Sequence, residues 1–545
     1  LHPKVEHTES PYLLENIEIA RDVLVRHLAD KTSISLLVDC DDDGYTSASL
    51  IYQYINRIYK DINFTFYVHE GKVHGLKDVI DDIVANNDGL VIIPDAGTGN
   101  VEECKRLYEA GKEVIILDHH TIDPEDNPAV IVNNQLSKNV TDKAMTGVGI
   151  TYKFAQVLDD YFHVNYADDY LDLVCVGMIA DRADLTNLQS RYYVLKGLNQ
   201  LKNKTGKNKL LKTFVEAQQY SMNYDVTING VGFYICPLMN SMIRLGEYED
   251  KKIMFEALCN SGRKLPRKVR GKGEVMMSVQ EYTLKACQST VRKQRKLTTD
   301  YSDELSKEIE EHDFHKLPII LYNAGEDIEK DLVGLIANRL ADTYQRPCIL
   351  LKNYGNVCAG SARGYEKSGI VNLNKWCKDT KLFNYAEGHP NAFGLAIDLD
   401  KTDELINMVY SMPKIESLAY NVYGVYDDKT LNSMLIKVIG KYHYVWGCGV
   451  TEPLFCIKNI TVNRHNVYLL GKRQNRIEFL YHDIKFIMMT KGSSLLKKYR
   501  DIVEIGENVK FDIVGRFQIN MKKEAQVLVE DLMYEKSNKK NVFGV

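Results

Sequence analysis

The sequence predicts an α/β protein organised on a parallel sheet whose strand ends collect acidic side chains. Three apolar, β-prone runs carry that prediction, and each ends in Asp. Ile34, Leu36, Leu37 and Val38 run into Asp39; Leu90 to Pro94 into Asp95; Val114 to Leu117 into Asp118. Helical patterns lie between them at the spacing of a parallel βαβ arrangement. In such sheets the ligand site lies outside the carboxyl ends of the strands, where all three Asp fall.

The elements follow in order. Residues 12–30 have the apolar spacing of an amphipathic helix (Leu13, Ile17, Ala20, Val23, Leu24). The first strand runs into Asp39, Asp41, Asp42, Asp43 and Gly44, a tight carboxylate-lined turn, and a helix is expected from about Thr46 to residue 60. If strand geometry persists through the turn, Asp39, Asp41 and Asp43 point to one side. Three such charges repel unless cations sit between them. A calcium loop beginning at Asp39 is excluded, because the Glu it needs is replaced by Leu50. A second strand, Phe64 to Val68, leads into the loop His69 to Leu76, whose Lys72 and His74 face either a substrate or solvent.

The third strand delivers Asp95. After a helix at 101–111, the next strand delivers Asp118 with the adjacent pair His119 and His120. Residues 146–163 and 166–181 read as helices, the second ending in Asp181, which is either a helix-end residue or a further ligand. Oxygen donors with one or two imidazoles suit Mn²⁺ or Mg²⁺ better than zinc. Two such ions would clamp a phosphoryl group and activate water, so the residues alone point to a metal-dependent phosphoesterase.

Composition bounds the rest. A chain of 545 residues is too long for one core, so three or four domains are expected. No apolar run reaches the length of a membrane span. The first ten residues lack a signal-peptide pattern, and residue 1 need not be the native start. Eleven cysteines without a CxxC pair suit a reducing compartment, and cytoplasmic localisation is expected. The net charge of −5 excludes a globally basic nucleic-acid binder, so any polyanion site must be a local basic groove.

Two local groups of cations answer that requirement. Arg263 to Lys272 holds Pro and Gly and reads as a loop, while Arg292 to Lys296 lies on a helix within the mostly helical 247–312. Either is a solvated face or a wall of a strand-binding groove. A second α/β region spans 315–412, with strands at 318–322 and 348–352 around a helix at 330–343. Gly360-Ser361-Ala362-Arg363 after an apolar strand offers backbone N–H groups and a guanidinium fork, either a phosphate cradle or an ordinary turn. From about 430 short β runs follow: 435–439, 455–462, 467–470, 477–481, 484–489, 509–517 and 527–532. They suggest a small barrel of OB type, in which Tyr442, Tyr444, Trp446, Tyr468 and Phe479 either stack on bases or fill the core.

The order of motifs resembles the DHH phosphoesterase superfamily, and within it the RecJ single-strand exonucleases. The resemblance rests on Asp41-x-Asp43 with Gly44, Thr46 and Ser47, then Asp95, Asp118-His119-His120 and Asp181. Asn133 to Gln135, Thr146 to Gly149, Phe233 to Gly246, Asp331 to Arg339, Gly360 to Arg363 and Gly388 to Gly394 follow in RecJ order. The leading Asp39 also resembles RecJ, whereas the related pyrophosphatases carry a His where Leu37 stands.

The resemblance implies a DHH domain (1–215), an extension with a long connecting helix (216–312), a DHH-associated domain (313–412) and an OB-like barrel with its tail (413–545). It implies that Asp41 and Asp95, helped by Asp39, hold one ion, and that Asp43, Asp95, His119 and Asp181 hold the other. Asp118 would orient the neighbouring His, His120 would touch the scissile phosphate, and Arg244 the backbone of the strand. Ser361, Arg363 and His389 would grip a 5′ phosphate.

The implied activity is 5′-to-3′ hydrolysis of single-stranded DNA to mononucleotides, with RNA also open as a substrate. The implied setting is a monomer working beside a helicase and a single-strand-binding protein in repair, recombination or replication. The alternatives are a phosphodiesterase for short oligonucleotides or cyclic dinucleotides, and an inactive replication scaffold. Three departures bear on substrate choice. Glu387 and Ala362 stand where the family usually has Gly, and the loop 69–76 lacks the family's Pro-x-Arg, leaving Lys72 as a point charge.

Overall fold

The structure is a computed structural model and describes residues 2–122, 125–269, 271, 273–326, 328–415, 418–471, 475–489 and 494–534. The chain forms two compact units, Leu1–Lys293 with Tyr444–Thr451, and Gln294–His443 with Glu452–Val545.

The first unit opens with α1 (Ile17–Ala29), β1 (Ile34–Val38), α2 (Asp42–Ile58), β2 (Phe64–Val68), α3 (Ile80–Ala85), β3 (Leu90–Pro94), α4 (Val101–Glu109), β4 (Glu113–Asp118) and β5 (Val130–Asn133). The strands form one sheet in the order β2-β1-β3-β4-β5, parallel throughout. Period-two alternation sends successive side chains to opposite faces. Ile34, Leu36, Val38, Leu90, Ile92, Ile115 and Leu117 join one core, while Leu37, Val91, Ile93, Val114 and Ile116 join another. Each fully buried Leu or Ile contributes about 1.5–3 kcal/mol, so the sheet is a firm platform. Strand order reverses between β1 and β3, which makes their carboxyl ends the expected crevice.

A helical layer follows: α5 (Gly147–Phe162), α6 (Leu171–Ala180), α7 (Leu188–Asn203) and α8 (Lys209–Gln218). A nearly continuous helix is then made of α9 (Ile228–Gly230), a π-turn (Val231–Ile235) and α10 (Cys236–Leu245). After α11 (Tyr248–Leu258), the stretch expected as a basic loop is instead a β-ribbon of β6 (Lys264–Val269) and β7 (Gly273–Ser278). Pro266 is tolerated because a two-stranded ribbon consists only of edge strands. Arg270 and Lys272 lie outside the described residues. The 33-residue helix α12 (Val279–Glu311) is shared between the units at Lys293/Gln294.

The second unit holds two further sheets, each with its own core. β8 (Ile320–Asn323), α13 (Val333–Tyr344), β9 (Cys348–Tyr354), β10 (Val357–Arg363), α14 (Leu373–Thr380), β11 (Phe383–His389), β12 (Ala392–Asp398) and α15 (Thr402–Ser411) build a five-stranded sheet ordered β11-β12-β10-β9-β8. Only the β8–β9 pair is parallel.

The last part comprises β13 (Gly424–Asp427), α16 (Ser433–Gly440), β14 (Phe455–Asn463), β15 (Val467–Leu470), β16 (Arg476–Tyr481), β17 (Ile484–Met489), α17 (Ser494–Ile505), β18 (Asn508–Ile519) and β19 (Ala525–Tyr534). The expected barrel is, among the described residues, an open mixed sheet ordered β13-β14-β18-β19-β17-β16-β15. The run 435–439, expected as a strand, is helix α16: Asn432 caps it through Leu435 N–H, and only one face of the short apolar run is buried. Phe479 belongs to the core of this sheet, whereas Tyr442 and Tyr468 are exposed. Among the described residues no helix is long and apolar enough to cross a membrane.

Candidate metal centre

The three central strands of the parallel sheet deliver their carboxylates to one place by different local devices. β1 stops at Val38, and the expected strand geometry does not persist into the turn: Asp41 is the N-cap of α2 and accepts Gly44 N–H at 3.0 Å. The helix therefore begins at Asp42, four residues before the expected start, with Asp43 in its first turn. Asp39, Asp41 and Asp95 come together on one side, while Asp43, His119 and Asp181 meet on the other.

His119 Nε2 lies 3.2 Å from Asp95 Oδ1, 3.7 Å from Asp181 Oδ2 and 3.9 Å from Asp43 Oδ2. Asp95, a member of the first group, therefore touches the second through His119. Its backbone is in the left-handed region, φ 68°, a conformation that costs a non-glycine residue free energy and is concentrated at functional sites.

Helix α5 supports the cluster from behind. Asp43 accepts Thr146 Oγ1–H at 3.0 Å, Gly147 N–H at 2.7 Å and Val148 N–H at 3.1 Å, so this carboxylate sits on a helix N-terminus. A Cβ at Gly147 would lie 2.3 Å from Asp95 Oδ1, which is why that turn needs glycine. The same holds for Gly177 on α6, whose Cβ would meet Thr46 Oγ1 at 2.3 Å and Asp43 Oδ1 at 2.7 Å.

Electrostatics set the demand for a cation. Burial, reinforced by Asp43 and Asp41, raises Asp95 well above the ordinary carboxylate range. Burial likewise lifts Asp43 to about 6 and Asp181 to about 8, with neighbouring carboxylates adding to it. Asp41 is held low despite its burial, chiefly by His74 and by the Gly44 N–H. Asp95 Oδ1 is buried and accepts no hydrogen bond, although His119 faces it. Carboxylate oxygens and an imidazole nitrogen that converge in one buried place are the donor set that Mn²⁺ or Mg²⁺ takes. The residues present therefore fit divalent ions.

Asp118 works differently. Its Oδ1 accepts His119 N–H at 2.7 Å and lies 2.8 Å from His120 Nδ1, and its Oδ2 accepts Thr98 N–H at 3.1 Å. The ring it holds is that of His120. Against the opposing effect of burial, these contacts keep Asp118 far below its ordinary range and raise His120 to about 9. His120 is half-exposed beside the cluster, in position to meet a substrate anion.

Sequence reasoning missed three members of this region. His69 follows Val68, the register partner of Val38, so His69 and Asp39 are neighbours at adjacent strand ends. Its Nδ1 is 2.8 Å from Asp78, and its buried Nε2 faces Asp39 at 3.7 Å without a hydrogen bond. Asp78 was missed with it. Asp42, also missed, is buried and accepts Asn240 Nδ2–H at 3.1 Å, which fixes α10 against the turn. Pairing His69 with Asp39 through the parallel register would have found the first; Asp42 stands in the acidic turn, but nothing in the sequence separates its role from those of its neighbours.

Of the remaining expected residues, His74 binds Asp39 Oδ2 at 2.6 Å, and Lys72 is exposed, its charge reaching Asp41. Arg244 is half-buried on α10, and its charge is felt by Asp42. Ser361 and Arg363 lie in the second unit at alternate positions of β10, both against Gly334, where a Cβ would sit 2.6 Å from Arg363 Nη2 and 3.3 Å from Ser361 Oγ. His389 ends β11, exposed, and Arg363 and His389 both pair in register with Ala392.

A doubly wound parallel sheet whose strand tips meet in carboxylates, with an Asp-His-His run at one of them, defines the DHH class of phosphoesterases. The DHH family N-terminal domain matches residues 33–178, and the DHHA1 domain matches 317–412. The chain is 34% identical over 541 residues to a protein of Bacillus subtilis strain 168 provisionally named SPbeta prophage-derived single-strand DNA-specific exonuclease YorK, covering 97% of this chain and 92% of that one. The single-stranded-DNA-specific exonuclease RecJ of B. subtilis is 24% identical, over 74% of this chain and 48% of its own length.

Among solved structures, RecJ of Thermus thermophilus in complex with Mn²⁺ has the same fold (TM-score 0.72, 18% identity, 97% of this chain and 73% of that chain). Its Mg²⁺ complex gives a TM-score of 0.67 at 17% identity, over 96% of this chain and 71% of that one. The protein belongs to the RecJ-like DHH exonuclease family.

Proposed function

We propose that the protein is a Mn²⁺- or Mg²⁺-dependent exonuclease that hydrolyses single-stranded DNA from the 5′ end to mononucleotides. The observation that carries this reading is the pair of donor groups that meet at Asp95, a buried carboxylate grouped with Asp39 and Asp41 and 3.2 Å from His119 of the other group. Asp39, Asp41 and Asp95 would hold one ion, and Asp43, Asp95, His119 and Asp181 the other. When bound, such ions neutralise the phosphodiester and activate water.

The chain's own side chains do the rest. Asp118 fixes His120, which presents Nε2 to the scissile phosphate and stabilises charge developing there. Arg244, anchored on the helix that Asn240 ties to Asp42, takes a neighbouring phosphate. Lys72 and His74 border the Asp39 side. Ser361, Arg363 and His389 receive the terminal 5′ phosphate, with Arg363 offering a bidentate fork. The reading divides the chain into catalytic, connecting, substrate-binding and OB-like parts at 1–215, 216–312, 313–412 and 413–545. It extends to a cytoplasmic monomer working beside a helicase and a single-strand-binding protein, which sedimentation and pull-down measurements would test.

The decisive experiment is digestion of a single strand labelled separately at each end, with Mn²⁺, with EDTA, and with Asp95→Ala. Early release of a mononucleotide from the 5′ label, abolished by EDTA and by the substitution, is expected. Hydrolysis of dinucleotides without degradation of long strands would replace this reading with a small-substrate phosphodiesterase. Binding without hydrolysis of either would leave a scaffold.

A further inference from the structure

The helix made of α9, the π-turn and α10 is almost wholly buried, yet it keeps one open stripe. Between residues 235 and 243 every side chain is buried except Pro237 and Asn240. Continued at spacings of three and four, the stripe runs from Phe233 through Pro237 and Asn240 to Arg244. Phe233 is 67% exposed and Tyr234 beside it 37%, unusual for aromatic side chains on a helix otherwise committed to the core.

The stripe reaches the acidic turn of the metal cluster at one point, and the helix that carries it passes α6 at a second. Asn240 donates to Asp42 at 3.1 Å, next to Asp41 and Asp43. At the other end, a Cβ on Gly232 would lie 3.5 Å from Ile179 Cγ2, two residues before Asp181. The π-turn itself is defined by Cys236 N–H bonding to Val231 O, and the extra residue widens the helix where Phe233 and Tyr234 emerge. Such turns are rare and occur frequently at functional sites.

We infer that Phe233 is a stacking platform for a nucleobase of the bound strand, with Tyr234 as its flank. The inference rests on the single-strand reading above and adds to it a base-contacting residue. Its chemistry is simple. The stripe ends in Arg244, a cation suited to phosphate, and begins in an exposed ring roughly 16 Å away at 1.5 Å per residue. A single strand presents alternately charged backbone and unstacked π-faces, so a guanidinium and an aromatic ring along one line match its two chemistries. A duplex hides its base faces and does not match. Every base has a π-face, so the contact tolerates any sequence.

The test is a coupling measurement. Binding of single strands carrying one abasic site, stepped from the 5′ end, is measured by anisotropy in EDTA for the wild type, Phe233→Ala and Phe233→Trp. In the wild type one position is expected to be sensitive, losing roughly 5- to 150-fold in affinity. Phe233→Ala is expected to lose a similar factor on intact strands and to become indifferent to the abasic site at that position, while Phe233→Trp keeps the sensitivity. Mn²⁺ affinity, measured separately by calorimetry, stays unchanged in both variants. An abasic profile identical in the wild type and Phe233→Ala, or a wild type with no sensitive position, overturns the inference while leaving the exonuclease reading in place. Failure of the wild type to bind or cleave single strands at all overturns that reading, and this inference with it.

Discussion

The two five-stranded sheets of this chain place their candidate residues in opposite ways. In the parallel sheet all carboxyl ends lie on one edge, so Asp39, Asp95 and Asp118 collect there and are almost completely buried. In the second sheet neighbouring strands mostly run in opposite directions, so no single edge collects strand ends. Its candidates instead share a face through period-two alternation, as Ser361 and Arg363 do, and they remain partly exposed. Parallel topology concentrates like charge in a dry place, where only a cation relieves it. Antiparallel topology spreads cations where a hydrated anion can reach them. The first arrangement suits metal chemistry and the second recognition of a chain end.

The sharpest way to break this contrast is Asp95→Asn. Losing the carboxylate that groups with Asp39 and Asp41 and faces His119 removes a stabilisation of several kcal/mol, so hydrolysis should fall by roughly a thousandfold or more. Calorimetry should show Mn²⁺ binding weakened at both positions, with single-strand affinity in EDTA retained. Tight binding of two ions by the variant would show that Asp95 does not join the clusters.

Arg363→Lys comes next and should act in the opposite sense. Charge is kept and the fork is lost, and a charge-assisted hydrogen bond is worth about 1.5–3 kcal/mol. KM for 5′-phosphorylated strands should rise roughly 10- to 100-fold, with Mn²⁺ affinity unchanged and little effect on strands lacking the 5′ phosphate. An equal effect on both substrates would remove end recognition from the second sheet.

A smaller effect is expected of Gly147→Ala, which places a methyl group against Asp95 at 2.3 Å. Overpacking of this kind typically costs about 1–3 kcal/mol. Denaturant unfolding should show that loss together with weakened Mn²⁺ binding, whereas Gly262→Ala, with nothing within 4 Å, should change neither. Unchanged metal affinity in Gly147→Ala would mean that the close approach of α5 is a matter of packing alone.

Legibility in the sequence follows the same divide. The strands β1, β3 and β4 read clearly because each is a continuous apolar run bounded by Asp, whereas the short β5 (Val130–Asn133) is not among the expected strands. What failed was the local backbone. The alternation of Asp39, Asp41 and Asp43 suggested a prolonged strand, but N-capping by Asp41 starts a helix at Asp42 and sends Asp43 to the other group. His69 stayed hidden because its importance comes from register with another strand, not from its own neighbours. In the second unit, Leu435–Ile439 read as a strand because a five-residue apolar run has no period long enough to distinguish helix from strand. Arg263 to Lys272 reads as a loop because of Pro266 and Gly271, although a ribbon of edge strands accepts the proline.

That ribbon supplies the smallest prediction, and the one that tests whether cationic handling of the strand in the first unit extends beyond Arg244. Lys264 and Lys268 lie two pleats apart on one face of β6, both exposed, with no ion pair to either among the described residues. Arg263 and Arg267 are already engaged, by Glu256 at 3.0 Å and by the carbonyl and ring of Tyr282. Lys268 also faces Glu274 across the ribbon, which reduces its pull on an anion, so Lys264 should contribute more. Each phosphate neutralised on a single strand contributes a salt slope of about 0.7. The double variant Lys264→Ala, Lys268→Ala should therefore lower the slope of log affinity against log salt by about 0.7 to 1.4, weaken binding only at low salt, and leave Mn²⁺ affinity and catalysis at saturation as they were. A slope identical to that of the wild type would make the ribbon a solvated face and leave phosphate recognition in the first unit to Arg244 and the metal cluster.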